Sequence, residues 1–228
     1  MKFIKAVLII LFLQFIWSNA KACSCEYYKD MSFRQYNWYE LVFKGEVVSI
    51  TENKEAWEKK VRFKIKKFYK GNIEADTITV TTGLDGASCG LNFKVGQAWI
   101  IFSSFNKGKY YTGLCSRSKL LNANPANRLE VIADKKFLKK YSSYSGEVVN
   151  EEVKGELRNG KPIGIWTYFK KGKAREINRY SDNGLLHGHS EVYYDNGTLH
   201  YRTEYENGEY VRSTYYKKDG TIDTVYEK

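Results

Sequence analysis

The sequence has no Ser/His/Asp order, no glycine-rich phosphate loop and no zinc-binding signature, so nothing in it marks a catalytic centre. No enzyme activity and no cofactor are expected. The longest apolar run, Ala6 to Trp17 broken only by Gln14, is too short to span a bilayer. Cysteine is scarce and stops early: Cys23, Cys25, Cys89 and Cys115 are the full set. Nothing after Cys115 can be held by a disulfide.

What the N-terminus does contain is an export pattern. Lys2 and Lys5 precede the apolar run, and Ala20-Lys21-Ala22 forms a small-x-small site directly before Cys23. This predicts a signal peptide over residues 1–22 and a mature chain beginning at Cys23 with a free α-amino group. A lipoprotein signal, with Cys23 acylated, is the rival reading, but Ala20 stands where such signals usually carry leucine. The expected location is secreted and extracellular; the alternative is periplasmic or membrane-anchored through Cys23.

All four cysteines survive that cut, and in an oxidising compartment an even number points to disulfides. Four cysteines allow three pairings. A Cys23–Cys25 bridge would be strained across one residue, and each of the other two pairings ties the N-terminus to a distant point. Such a loop is worth roughly 4 kcal/mol per bridge in the chain-entropy model.

Charge divides the chain. Losing Lys2, Lys5 and Lys21 takes the net charge from +11 to +8, and residues 142–228 hold 13 Lys+Arg against 14 Asp+Glu, which leaves +9 on residues 23–141. Two units are therefore expected, 23–141 and 153–228, joined by a linker over 142–152. The basic unit suggests contact with anionic glycans or a cell surface, and export argues against nucleic acid.

In the basic unit the periodicity is that of strands. Leu41–Ile50, Lys59–Tyr69, Thr77–Thr82, Gln97–Ser103 and Lys109–Leu114 read as five strands, the second alternating Val61, Phe63 and Ile65 with Arg62, Lys64 and Lys66. That spacing predicts a small closed or partly open barrel. Ala126–Tyr141 reads as a helix with Leu129, Ile132, Ala133 and Phe137 on its packed face. The aromatics Tyr27, Tyr28, Phe33, Tyr36, Trp38 and Tyr39 read as a helix or loop packed on the barrel.

These residues carry a resemblance: Cys-x-Cys at the cleavage site, Val42-Phe43-Lys44-Gly45-Glu46-Val47-Val48, Phe68-Tyr69-Lys70-Gly71, Ser88-Cys89-Gly90 and Tyr111-Thr112-Gly113-Leu114-Cys115. Their order resembles the netrin-like (NTR) fold in its tissue-inhibitor-of-metalloproteinases form, over about residues 23–121. The resemblance implies an OB-like five-stranded barrel with flanking helices and the pairing Cys23–Cys89 and Cys25–Cys115. It also implies that the Cys23 amine and carbonyl chelate the zinc of a metalloendopeptidase while Ser24 points into its specificity pocket. The chain departs from animal inhibitors of this kind in lacking their cysteine-rich second domain.

The C-terminal unit repeats at about 22 to 25 residues: Trp166–Gly172, Glu191–Gly197 and Ser213–Gly220, with further copies ending at Asn183-Gly184 and Asn207-Gly208. Aromatic strands followed by Asn-Gly or Asp-Gly are hairpin signals, and a row of them predicts an antiparallel β-meander. From Gly160 to Trp166 the chain resembles MORN-type repeats of the bacterial antitoxin-like variant, which implies a binding or spacer module with an unspecified protein partner. His187 and His189 fall on one strand face with His200 beyond a turn, a pattern read as solvated or hydrogen-bonded strand histidines. Asn196-Gly197-Thr198 fits a glycosylation sequon but coincides with a turn.

The expected function is a secreted, non-catalytic inhibitor of a zinc metalloendopeptidase acting through Cys23. The alternative is a surface or envelope interaction module without inhibitory activity.

Overall fold

The computed structural model describes residues 23, 25, 30–71, 73–122 and 125–228. The expected leader, Ser24, Tyr27 and Tyr28 lie outside the described residues. Among the described residues the chain is mainly β, with fourteen strands in two sheets and two helices.

The first sheet is built from β1 (Leu41–Asn53), β2 (Glu58–Lys70), β3 (Thr77–Gly83), β4 (Ala98–Asn106), β5 (Lys109–Tyr111) and β6 (Lys119–Leu120). Its order is β1-β2-β3-β5-β4-β6, and β4 pairs with β1 as well, so five strands close into a ring. Every link is antiparallel except β3 with β5. Inside lie Val61, Val80, Ile101 and a chain of rings, Phe43, Phe63 and Phe93 edge-on to one another and Trp99 tilted against Phe93. The alternation of β2 follows directly: Val61 and Phe63 are buried, while Arg62 and Lys64 are exposed. β4 does not alternate because both its faces are covered. Ile101 faces the ring interior, and Ile100 and Phe102 pack outward into a second cluster.

That second cluster joins the two sheets. Helix α1 (Phe33–Trp38) begins at a capping box in which Ser32 Oγ accepts from Gln35 N and Gln35 Oε1 accepts from Ser32 N. It places Phe33 against Trp166 and Tyr36 against the first sheet. Tyr36 Oη donates to Gly160 O at 2.5 Å, and Asn37 Nδ2 donates to the Tyr168 hydroxyl at 2.9 Å. Lys70, buried at the end of β2, donates to Tyr36 O at 2.6 Å.

Helix α2 (Pro125–Tyr141) packs only in part with the face expected: Phe137 meets Phe33 and Tyr36 in the shared cluster, but the rest of that face turns away. Leu129 and Ile132 are exposed, and the buried residues are Val131, Asp134 and Leu138. The rotation has an electrostatic cause. Asp134 forms a bidentate pair with Arg117, Nε to Oδ2 at 3.2 Å and an Nη to Oδ1 at 2.5 Å, and both side chains are buried. Turning Leu129 and Ile132 inward would break that pair.

The second sheet is a meander in strict sequence order: β7 (Gly146–Val149), β8 (Val153–Arg158), β9 (Lys161–Lys170), β10 (Lys173–Tyr180), β11 (Gly188–Tyr193), β12 (Leu199–Glu206), β13 (Glu209–Tyr216) and β14 (Ile222–Glu227). Residues 142–152, expected as a linker, hold β7, and Val148 is buried in the shared cluster with Val153, Leu157, Trp166 and Tyr168. The boundary by charge is thus not a boundary in packing. Two-residue turns such as Asn207-Gly208 carry positive φ at both positions, 49° and 85°, which is why Asn-Gly pairs mark the hairpins. Burial falls along the meander, from Leu157 and Trp166 with no exposed surface to a β14 that is open on both faces.

On the face of this sheet turned from the first, Glu191 receives Arg202 at 2.7 Å and Arg179 at 3.2 Å. Burial pushes its carboxyl up, but the hydrogen bonds from Arg202 and Arg179 outweigh that and hold it below the ordinary value. A lowered folded-state value stabilises above the unfolded pKa of about 4.3 and is lost as pH falls through the folded value. Glu191→Gln is therefore expected to melt lower than the wild type at pH 7, with the gap closing below about pH 4. Melting curves at both pH values check this; a gap independent of pH contradicts it.

Candidate functional site

The cysteines meet at one end of the ring. After β3 the chain turns sharply at Asp85–Gly90: Ser88 N donates to Asp85 Oδ1 at 3.0 Å, Asp85 N donates to Ser88 Oγ at 3.0 Å, and Gly90 N donates to Asp85 O at 2.7 Å. The backbone bond from Ser88, joined by one from the Ser88 hydroxyl, holds the Asp85 carboxyl below its ordinary value. The turn lies so close to β3 that a Cβ on Gly90 would sit 1.9 Å from Gly83 O. Only glycine fits there, and the approach presents Cys89, itself in the left-handed region at φ 58°, to the N-terminal segment.

Cys23 is bonded to Cys89 and Cys25 to Cys115. These are the pairs that the resemblance implies. Cys23 Sγ also lies 3.5 Å from Gly86 O, and Leu114 N donates to Cys89 O at 2.9 Å, so the turn after β3 and the segment after β5 are laced together beside Cys23. Two bridges within three residues fix both position and direction of the chain at Cys23. Cys23 is half-buried and Cys25 exposed, so the site opens to solvent. A groove of about 550 Å³ runs beside both bridges, with Trp38, Tyr111 and Leu114 among its walls. Disulfides of this kind are compatible with an extracellular or periplasmic location.

The histidines do not converge. His187 Nδ1 accepts from Asn207 N at 3.4 Å, His189 Nε2 lies 3.4 Å from Glu204, and His200 stacks on Tyr194 with ring centres 4.2 Å apart. Among the described residues no group of three or more His, Cys, Asp or Glu could hold a metal ion. Asn196 of the sequon sits in the exposed turn between β11 and β12, where its Oδ1 accepts from Thr198 N at 3.0 Å.

A second concavity lies between the sheets. It is a cleft of about 360 Å³ walled by α1, Glu40 just before β1 and the end of β4 on one side and by β10 to β13 on the other. Sequence reading missed it because its residues come from segments far apart in the chain. The one local signal was the capping box at Ser32–Gln35, which places Asn37 and Trp38 at the end of a helix.

No protein-family profile matches the chain, and no curated protein matches it. Among solved structures, a GtfA/B complex bound to UDP and GlcNAc is 20% identical at a TM-score of 0.27, over 37% of this chain and 20% of that one. An S. aureus TarM mutant in complex with Fondaparinux, alpha-GlcNAc-glycerol and UDP is 17% identical at 0.26, over 44% of this chain and 22% of that one. A structure titled TarM alone is 18% identical at 0.26 with the same coverage. The chain thus spans about a fifth of the length of these proteins, and likeness at this level carries no argument about its fold or its chemistry.

Proposed function

We propose that this chain is a secreted, non-catalytic inhibitor of a zinc metalloendopeptidase, in which an OB-like NTR barrel presents Cys23 and a MORN-like meander is packed on its side. The observation that carries the reading is the double tether of the N-terminal segment, Cys23 to Cys89 and Cys25 to Cys115, on a turn closed by glycine contacts. The ring order β1-β2-β3-β5-β4 with β4 returning to β1 also supports the OB-like part.

Catalytic zinc keeps one coordination position for water or substrate. With the leader removed, the Cys23 amine and carbonyl would fill that position, and Ser24 would follow into the specificity pocket. The tether supplies the affinity in an indirect way, because a terminus already fixed in direction loses little entropy on binding. Chelation needs the neutral amine, whose reference pKa is about 8. Inhibition therefore strengthens as pH rises from 6.5 towards about 8, at constant protease activity.

The test has two stages. Intact mass of the native protein reports the terminus, and an acyl adduct on Cys23 would block the amine and favour the lipid-anchored surface module instead. With a free terminus, one alanine added before Cys23 is expected to abolish inhibition across a panel of zinc endopeptidases. Unchanged inhibition by the extended protein sinks the chelation mechanism.

A further inference from the structure

We propose that the cleft between α1 and the second sheet is a binding site for an uncharged saccharide. Its geometry, its charge balance and one orphaned polar atom point the same way.

The floor of the cleft is polar but already neutralised. Glu176 receives Arg34 Nε on one oxygen at 2.6 Å and Asn178 Nδ2 on the other at 2.8 Å. Glu40 accepts from Phe105 N at 2.8 Å, and its counter-charge is Lys70. Burial drives the Glu40 carboxyl up and the Lys70 ammonium down, and each charge opposes the other's shift. Carboxylates so occupied do not call for a cation, and the paired Arg34 does not call for an anion. A charged ligand would have to break an existing pair.

What is left over is a hydrogen-bond acceptor. Asn37 is 5% exposed and lines the cleft; its Nδ2 is used by Tyr168, but its Oδ1 has no partner among the described residues. A buried unpaired carbonyl of this kind costs about 1–3 kcal/mol; it has almost no exposed surface, so a small shift of the Asn37 amide brings it to a hydroxyl in the cleft. Around it stand flat apolar surfaces: Trp38, 66% exposed, Phe105 on the first sheet, and Tyr201 and Tyr205 on β12. Aromatic faces that meet C–H bonds, beside a few fixed polar groups that meet hydroxyls, are what a sugar ring presents in complement. The size fits as well, since ligand clefts run from roughly 300 to 1,000 Å³.

The site uses neither Cys23 nor its bridges; Trp38 also walls the groove beside them, so weaker binding in Asn37→Ala or Tyr205→Ala, which line the cleft and not that groove, assigns the sugar to the cleft. The test takes the mature disulfide-bonded protein and measures saturation-transfer NMR with cellotriose, maltotriose and chitotriose, with a heparin-derived tetrasaccharide as the anionic comparison. At least one of the three uncharged sugars is expected to receive saturation. Its affinity should fall about tenfold in Trp38→Ala, the ordinary cost of losing an aromatic anchor. Asn37→Ala should weaken it as well; where a melting curve shows that this variant is unfolded, Trp38→Ala and Tyr205→Ala decide, since neither side chain is fully buried. No transfer to any of the three, transfer to the heparin fragment alone, or unchanged affinity in Trp38→Ala or in every folded cleft variant overturns the proposal.

Discussion

Trp166→Ala is expected to cost about 3–5 kcal/mol, the range for removing a fully buried large aromatic. Trp166 has no exposed surface, stacks near Tyr168, faces Phe33 of α1 and donates from Nε1 to Glu156 O at 3.1 Å. Its fit is unusually close: Gly155 lies beneath the indole, and a Cβ there would meet Trp166 Cδ2 at 2.2 Å. The indole sits in the cluster that contains residues of both sheets, so its loss weakens their union as well as the meander. Urea denaturation followed by fluorescence and far-UV circular dichroism measures this. Coincident transitions with a midpoint shifted to lower urea are the expected result; an unshifted midpoint contradicts the role assigned to Trp166.

Arg117→Met should be comparably severe, about 3–5 kcal/mol, because it leaves the Asp134 carboxylate buried without its partner. Burial already pushes that carboxyl above its ordinary value, and the hydrogen bond from Arg117 opposes the push. The penalty in Arg117→Met should therefore shrink in acid, where Asp134 takes up a proton. The double variant Arg117→Met, Asp134→Leu removes both charges and should recover most of the lost stability. Denaturation of the two single variants and the double measures the coupling. Additive losses would mean that the pair does not hold α2 in its register.

The strands were legible because their pattern is local. Val61 and Phe63 alternate with Arg62 and Lys64 in one short stretch, and Asn-Gly or Asp-Gly pairs announce most hairpins of the meander. Ring closure was harder to read, since the contact that makes it, β1 on β4, joins residues such as Val42 and Phe102 that lie far apart in sequence. The face of α2 was legible only at Phe137, and the rest was misread for a chemical reason. Apolar spacing pointed to Leu129 and Ile132, but a buried ion pair whose other half lies before the helix fixed the rotation. Charge likewise separated two units that share a core, because net charge describes surfaces while Trp166 and Phe33 meet inside. Ser88-Cys89-Gly90 stood out in the sequence, but neither the turn that carries it nor the cleft did, the cleft because its walls are assembled only when both sheets are present.

Helix α1 also sets the order in which the molecule can be completed. Tyr36 and Asn37 find their partners Gly160 and Tyr168 across 124 and 131 residues of chain. Closing so long a loop carries an entropic cost before any contact repays it, and folding slows as contacts become more distant. During synthesis the first helix waits for more than half of the chain before these two hydrogen bonds can form. The contacts that join the sheets therefore close longer loops than any strand pairing within either one.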